Sequence, residues 1–230
     1  MRFDILSAVP ALLHSPLNHS IVQIAREKGL MEVNIHDLHD YSTDKHHKVD
    51  DTPYGGGPGM VLSAQPVFSC VQALQEQTHY DEILFMAPDG IPFDQYEANK
   101  LSILDRVIII CGHYKGIDHR VREHLVTKEY SIGDYVLSGG ELPALVIVDA
   151  VARLIPGVLG DAVSALEDSF QDHLLDCETY TRPSVFNGWE VPKVLLSGDH
   201  SNIREWRHQN ALERTKRLRP DLYRKFLNEQ

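Results

Sequence analysis

Glycine-bearing loops follow three predicted strands, and their composition would suit a ligand site. They comprise residues 88–90, 112–116 and 133–140. Backbone N–H groups at the carboxyl ends of parallel strands are free to face a ligand, and glycine lets the chain approach it closely. The loops contain neither the Gly-x-Gly-x-x-Gly of dinucleotide folds nor the Gly-x-x-x-x-Gly-Lys-Ser/Thr of phosphate loops. This pattern predicts a nucleoside-like ligand that is not bound through a pyrophosphate; the alternative is that the glycines serve only tight turns.

A further glycine-rich segment, residues 50–60, has the composition of a functional loop. It holds four glycines. It also lies in a connection of more than about 20 residues, a length seldom found in compact domains unless the loop is functional. Tyr54 and the flanking prolines favour a shaped loop over a disordered linker. We therefore expect this segment to approach a ligand.

Acidic and basic side chains in the second half of the chain are further candidates. Glu167 and Asp168 lie between Ser164 and Ser169 in a polar stretch. Such acids are normally solvated, so the residue types alone do not assign them a role in catalysis. Arg153 ends an apolar segment, where it either stabilises a helix C-terminus or pairs with a buried anion.

The histidines and cysteines do not predict a metal site. His36-x-x-His39 and His46-His47 lack a third ligand, and the three cysteines are too few and too far apart for a zinc site or a disulfide framework. Their odd number is typical of a reducing compartment. Asp4 interrupts what would be the apolar core of a signal peptide, and no stretch approaches the roughly 18 apolar residues of a membrane span. The sequence therefore predicts a cytoplasmic protein with no membrane partner.

Short apolar runs alternate with helical patterns, and these elements must position the loops. The expected strands are residues 3–9, 31–35, 83–87, 107–111 and a short strand around Tyr130. The expected helices run from about residue 18 to 29, 63 to 76, 94 to 104, 118 to 125 and 142 to 155. Strands that alternate with helices favour a parallel sheet covered on both faces, so the predicted fold class is α/β. The last helix is apolar almost all round, which indicates burial between layers or against a second copy.

The charge distribution changes in the last segment. The chain has a net charge of −11, yet eight of its 22 basic residues lie between positions 201 and 225. One broad face of a helix there would carry Arg204, Arg207, Arg214 and Arg217. Such a face is either simply solvated or binds a phosphate backbone. Because periodicity is lost over residues 156–180, we place a domain boundary there.

Taken together, the motifs resemble the bacterial tRNA (guanine-37-N1)-methyltransferase family of the SPOUT superfamily. The resemblance includes Pro-Tyr-Gly-Gly-Gly-Pro-Gly-Met at 53–60 and Gly-Asp-Tyr-Val-Leu-Ser-Gly-Gly-Glu-Leu-Pro at 133–143. Other matching segments are residues 49–51, 131–132, 155–160, 167–170, 180–183 and 194–198. The resemblance spans nearly the whole chain, and long ordered matches of this kind are highly specific.

The resemblance implies a fold, an activity and partners. The fold would be a SPOUT-type parallel sheet with a deep trefoil knot, plus a small, mostly helical C-terminal domain. Residues 1–160 would bind S-adenosylmethionine, 161–175 would connect the domains, and 176–230 would bind the tRNA anticodon stem-loop. The enzyme would transfer the methyl group of S-adenosylmethionine to N1 of guanosine 37. It would act as a homodimer in which the connector and C-terminal domain of one subunit complete the other's active site, and Mg²⁺ would be needed for turnover.

The resemblance also assigns roles to individual residues. The cofactor would be bound by Phe85, Met86, Ala87, Pro88, Gly112, Gly116, Ile132, Gly133, Asp134, Tyr135, Val136, Leu137, Gly139 and Gly140. Asp168 would be the general base, and Arg153 would support the target guanine. Other substrate contacts would come from Asp50, Gly59, Ser164 and Asp176, while Arg207, Arg214 and Arg217 of the basic face would bind tRNA. Lys115 stands where the family usually has an acid.

Two other functions are compatible with these residues. A related enzyme could modify another RNA position, such as a ribose hydroxyl, which requires no base to remove a proton from N1. Alternatively, the protein could bind RNA and sense the cofactor without catalysis.

Overall fold

The computed structural model describes residues 1–159 and 169–228. Contacts between residues divide the chain into two compact units, Met1–Gly160 and Asp161–Gln230. Ser164 and Asp168, with most of the predicted connector at 161–175, lie outside the described residues. Across the described ranges, no helix has both the length and the apolar composition needed to cross a membrane.

A five-stranded parallel sheet forms the centre of the first unit. Its strands are β1 (Arg2–Ser7), β2 (Glu32–Asp37), β5 (Glu82–Pro92), β6 (Arg106–Ile110) and β7 (Lys128–Ser131), in the order β2-β1-β6-β5-β7. Every pairing in this sheet is parallel. A short antiparallel pair, β3 (Asp50–Asp51) and β4 (Val61–Leu62), flanks the glycine-rich segment. The prediction of an α/β fold with a central parallel sheet is confirmed.

Helices cover both faces of this sheet. One face packs against α1 (Ala11–Leu17), α2 (Ser20–Glu27), α4 (Gln95–Ser102) and α6 (Glu141–Ala152). The other face packs against α3 (Ala64–Gln75) and α5 (His119–His124). Strand residues alternate between the two faces, so Ile5 lies in the first core and Leu6 in the second. The Asp94 and Asp118 carboxylates cap α4 and α5 by accepting backbone N–H bonds, as their sequence positions predict.

Two features of the first unit differ from the sequence-based expectation. Helix α1 was not predicted, since it contains Pro16 and no side chain caps its N-terminus. Strand β5 does not end at Ala87 but resumes at Ile91, with a shift in its pairing to β7 between Met86 and Ile91. The predicted loop at 88–90 is therefore a bulge within a strand.

The second unit contains a hairpin, a short 3₁₀ helix (Lys193–Leu196) and two α-helices among its described residues. The hairpin pairs β8 (Val185–Phe186) with β9 (Trp189–Glu190). The basic segment forms α7 (His200–Leu218) and α8 (Pro220–Asn228) rather than one helix. Proline disfavours the helical conformation at the residue before it, and Arg219 accordingly has φ −136° and ψ 68°. Trp206 of α7 is partly buried beside Tyr180, whereas Trp189 is exposed.

A buried acid, Asp4, lies within β1. Arg2 donates hydrogen bonds of 2.7 and 3.0 Å to its carboxylate, and the Tyr80 hydroxyl donates one of 2.8 Å. His36 Nε2 lies 2.8 Å from Asp4 Oδ1, and this nitrogen must donate because an ionised carboxylate only accepts. Burial alone would raise the pKa of Asp4, but the hydrogen bonds from His36, Arg2 and Tyr80 hold that pKa well below its usual range.

We predict that Asp4→Asn lowers the free energy of unfolding at neutral pH by about 2 kcal/mol, because buried donors lose their charged acceptor. A carboxylate with a depressed folded-state pKa stabilises the fold above its unfolded pKa of about 3.9, and this stabilisation is lost as the pH falls further. The difference between the two proteins should therefore shrink from about pH 5 to about pH 3 in urea denaturation followed by circular dichroism. Asp105→Asn, which changes an exposed acid, is the control, and an equal loss in both variants would contradict the prediction.

Candidate active site

The three glycine-bearing segments of the first unit surround one cavity of about 190 Å³. It lies beyond the carboxyl ends of β6 and β7 and beside the bulge of β5, as the strand order predicts. The structure brings every predicted cofactor residue except Asp134 into the lining of this cavity. His113, Tyr114, Lys115, Tyr130, Ser131, Ser138 and Pro143 complete the lining, and the sequence did not single them out as binding residues.

The bulge of β5 is held by an ion pair from α5. Arg122 Nη2 donates a 2.7 Å hydrogen bond to Asp89 Oδ2, and the same guanidinium pairs with Glu129 of β7. Its Cζ also lies 5.6 Å from the centre of the Phe85 ring. Arg122 therefore fixes the first loop from outside the cavity, where its charge is already paired.

The second and third loops pack backbone against backbone. Gly140 N donates a 2.7 Å hydrogen bond to Gly112 O. A Cβ atom on Gly140 would lie 2.8 Å from Cys111 Cα and 2.9 Å from Gly112 N, so no side chain fits at this position. Gly139 is equally confined, since a Cβ there would lie 2.6 Å from His113 Nδ1. Glycine is required at positions 139 and 140 because neighbouring protein atoms leave no room for a Cβ, and not because the backbone has an unusual φ angle there.

A buried acid beneath these glycines connects three elements. Glu141, the first residue of α6, accepts a 2.7 Å hydrogen bond from the Ser7 hydroxyl at the end of β1. Its other carboxylate oxygen lies 3.7 Å from His113 Nδ1, which has no hydrogen-bond partner among the described residues. The neighbouring Cys111 is fully buried, and burial followed by the nearby Glu141 charge raises the pKa of its thiol. The thiol is thus neutral and packs as an apolar group.

The glycine-rich segment is tied to the second loop. Leu62 N donates to Gly116 O, and Lys115 N donates to Met60 O, each at 2.9 Å. Burial, and then the charge and hydrogen bond of Asp50, raise the pKa of Tyr114. The predicted substrate residues Asp50 and Gly59 therefore flank the loop that lines the cavity.

The structure leaves the predicted catalytic pair incomplete. Arg153 is partly buried directly after α6, but Asp168 lies outside the described residues. Ser164 lies outside them as well.

The second unit has its own cavity, of about 810 Å³, which is lined by Asp176, Arg204 and Arg207 among other residues. The predicted tRNA-binding arginines are not equivalent there. Arg214 Nη1 donates a 2.7 Å hydrogen bond to Asp176 O, and Arg217 Nη2 lies 3.7 Å from Glu178 Oε1. Arg207 is exposed and forms no ion pair with any described residue, so among the described contacts its charge is not already engaged by a carboxylate.

Comparison with known proteins finds the same family along the whole chain. The family model described as "tRNA (Guanine-1)-methyltransferase TrmD" matches residues 1–225. A tRNA (guanine-N(1)-)-methyltransferase of Azobacteroides pseudotrichonymphae is 58% identical over 222 residues, which cover 96% of this chain and 100% of the relative. One from Porphyromonas gingivalis is also 58% identical, with 96% and 99% covered. One from Chlorobium chlorochromatii is 54% identical over 230 residues, with both chains fully covered.

We predict that Gly140→Ala forces the second and third loops apart, because the added Cβ would meet backbone atoms that cannot rotate away. Overpacking of this kind should destabilise the protein by about 1–3 kcal/mol. Thermal denaturation would measure this loss. Ser138→Ala changes an exposed residue of the same loop and should alter stability by less than about 0.5 kcal/mol. Equal stability of the two variants would contradict the close packing.

Proposed function

The chain belongs to the tRNA (guanine-1)-methyltransferase TrmD family, a family of enzymes, and from this premise we propose that it methylates N1 of guanosine 37 in tRNA. We propose S-adenosylmethionine as the methyl donor. The observation that carries the proposal is the cavity formed by three loops in a chain that matches the family over its whole length.

The residues around the cavity suit a donor of this kind. Gly112, Gly139 and Gly140 line the cavity and have no side chains, so an adenine could be read there by backbone N–H and C=O groups. Phe85, Tyr135 and Leu137 add apolar surface, which suits a flat base and a ribose. When bound, S-adenosylmethionine supplies a methyl group that is already strongly electrophilic.

The protein's own residues would prepare the guanine. Asp168 would remove the N1 proton, for a rate gain of about 10²- to 10⁴-fold. Arg153 would stabilise the negative charge that develops on guanine O6. Alignment of the two substrates could contribute about 7 kcal/mol or more, which exceeds either single side chain. Asp50, Gly59 and Ser164 would position the base.

The described lining does not suit the magnesium ion that the resemblance implies. Mg²⁺ prefers oxygen ligands, above all carboxylates, and no aspartate or glutamate is among the cavity's described lining residues. Within the described ranges, no three or more histidine, cysteine or acidic side chains cluster as metal ligands would.

We also propose that α6 contributes to a homodimer. Two of its apolar side chains, Leu142 and Val146, are 54% and 45% exposed in the single chain, one helical turn apart. A second copy would cover them. The knot, the domain limits and the cytoplasmic location stay predictions.

The first test of the proposed function is Asp168→Asn, with Glu167→Gln as the neighbouring control. We expect Asp168→Asn to lower kcat by about 10²- to 10⁴-fold without weakening donor binding, because only proton removal is lost. Formation of 1-methylguanosine would be measured by nucleoside analysis of tRNA incubated with labelled donor, and a transcript with adenosine at position 37 should give none.

Each adverse outcome has its own meaning. Near-normal formation of 1-methylguanosine by Asp168→Asn would contradict the role of Asp168 as the general base, whereas a methyl group found on a ribose hydroxyl would contradict methylation at N1. Absence of 1-methylguanosine with the unchanged protein would contradict the proposed reaction itself.

A second prediction separates Arg207 from Arg214 on α7. Arg207→Ala should weaken tRNA binding and lower the slope of log affinity against log salt by about 0.9 or less, as loss of one phosphate contact does. Arg214→Ala should mainly destabilise the second unit, since its guanidinium holds the Asp176 carbonyl. Binding isotherms at several salt concentrations measure the slope, and an unchanged slope for Arg207→Ala would assign that residue to the solvated surface.

A third prediction concerns the dimer. Val146→Glu should convert the dimer to monomer, because a carboxylate would be buried without a partner in an apolar interface. Sedimentation velocity measures the change. Ile103→Glu, which places the same charge on another exposed apolar residue, should leave the dimer intact. Dimers of unchanged affinity in Val146→Glu would exclude this face of α6 as the interface.

A further inference from the structure

Lys115 differs in charge from the other described residues that line the cavity. Among the described lining residues it is the one lysine or arginine, and none is an aspartate or glutamate. The neighbouring cations are already paired: Arg120 lies 2.6 Å from Asp118, and Arg122 lies 2.7 Å from Asp89. By contrast, no carboxylate in the described part of the chain forms an ion pair with Lys115, which is exposed. As far as the described residues go, the cavity therefore offers a ligand one ammonium that no carboxylate pairs with.

The loop holds this lysine in place. Its backbone N–H bonds to Met60 O at 2.9 Å. Its aliphatic stem also passes close to Gly59, since a Cβ added there would lie 3.3 Å from Lys115 Cδ. A stem held along the glycine-rich segment loses less rotamer entropy on binding than a free one. Lys115 is thus partly organised as a binding group before any ligand arrives.

The charges of the ligand decide which part of it Lys115 can face. The sulfonium and amino groups of the proposed donor are cationic, so an unpaired ammonium repels them. The carboxylate is the donor's only anion, and on entering the cavity it would lose water without finding an arginine in the described lining. An ammonium beside it offsets that loss through a charge-assisted hydrogen bond.

We propose that Lys115 binds the carboxylate of the donor's amino-acid end and makes the site select ligands that carry this end over those that carry only the adenosine and thioether. The inference rests on the proposed function, because it assumes that an S-adenosyl compound occupies the cavity. In this role, Lys115 determines ligand specificity and takes no part in proton transfer.

Two ligands separate this role from a general effect on the loop. S-adenosylhomocysteine has the adenosine, the thioether and the amino-acid end, whereas 5′-methylthioadenosine lacks the amino-acid end. Binding of each would be measured by isothermal titration calorimetry with the full chain. The proteins would be the wild type, Lys115→Met, Lys115→Arg and the control Lys45→Met, which removes an exposed lysine that is not in the cavity lining.

We expect Lys115→Met to weaken S-adenosylhomocysteine binding about tenfold, in line with a hydrogen bond to a charged group, and 5′-methylthioadenosine binding less than about twofold. Lys115→Arg should retain most of the affinity for both ligands. Added salt should weaken S-adenosylhomocysteine binding more in the wild type than in Lys115→Met, because salt screens the pair. Lys45→Met should match the wild type.

Three results would overturn the inference. If Lys115→Met weakens the binding of both ligands equally, the lysine acts only through the shape of the loop. If the substitution weakens the binding of neither ligand, the carboxylate is bound elsewhere. In both cases the proposed function still stands, because the wild-type protein binds the ligands. If the wild type binds neither ligand, the proposed donor is wrong and the inference is wrong with it.

Discussion

The cavity depends on two stretches of backbone that pack together with no side chain between them. Gly140 lies against Cys111 and Gly112, and a single methyl group at position 140 would meet main-chain atoms. This contact also determines where α6 begins, because Glu141 follows directly and its carboxylate bonds to Ser7 of β1. The loops that line the cavity are therefore fixed to the sheet at the point where they approach each other most closely. A rigid, largely preformed cavity follows from that packing.

Most of the first unit could be predicted from the sequence because its signals are local. The apolar run Val107–Cys111, most of which forms β6, is buried on both faces of the sheet. Asp94 and Asp118 mark helix starts by accepting hydrogen bonds from nearby N–H groups. The bulge of β5 could not be predicted, since the strand resumes at Ile91 only because β7 offers it a partner. The hydrogen bond between Ser7 and Glu141 joins residues 134 positions apart, so no periodic pattern in the sequence predicts it.

In the candidate site, too, the composition predicts which segments bind a ligand, but only the structure shows which side chains are available. Glycines after strands predicted a ligand-binding edge, and the structure gathers these loops around one cavity, with Asp89, Gly90 and Asp134 outside its lining. The basic face of α7 was evident from composition, but composition does not reveal which arginines are already engaged. Arg214 contacts Asp176 and Arg217 contacts Glu178. These contacts depend on the folding of residues 176–178, which are distant from α7 in the sequence, against that helix. Position 168, which matters most to the proposed chemistry, was selected by family resemblance alone.

Both tryptophans of the chain, Trp189 and Trp206, belong to the second unit. One lies exposed in the hairpin, and the other is partly buried on α7 beside Tyr180. Indole fluorescence excited at the red edge of its absorption therefore originates from that unit, while the sheet contributes only tyrosine emission. The protein carries an intrinsic optical reporter of its basic region, and no dye or engineered label is needed to follow events there.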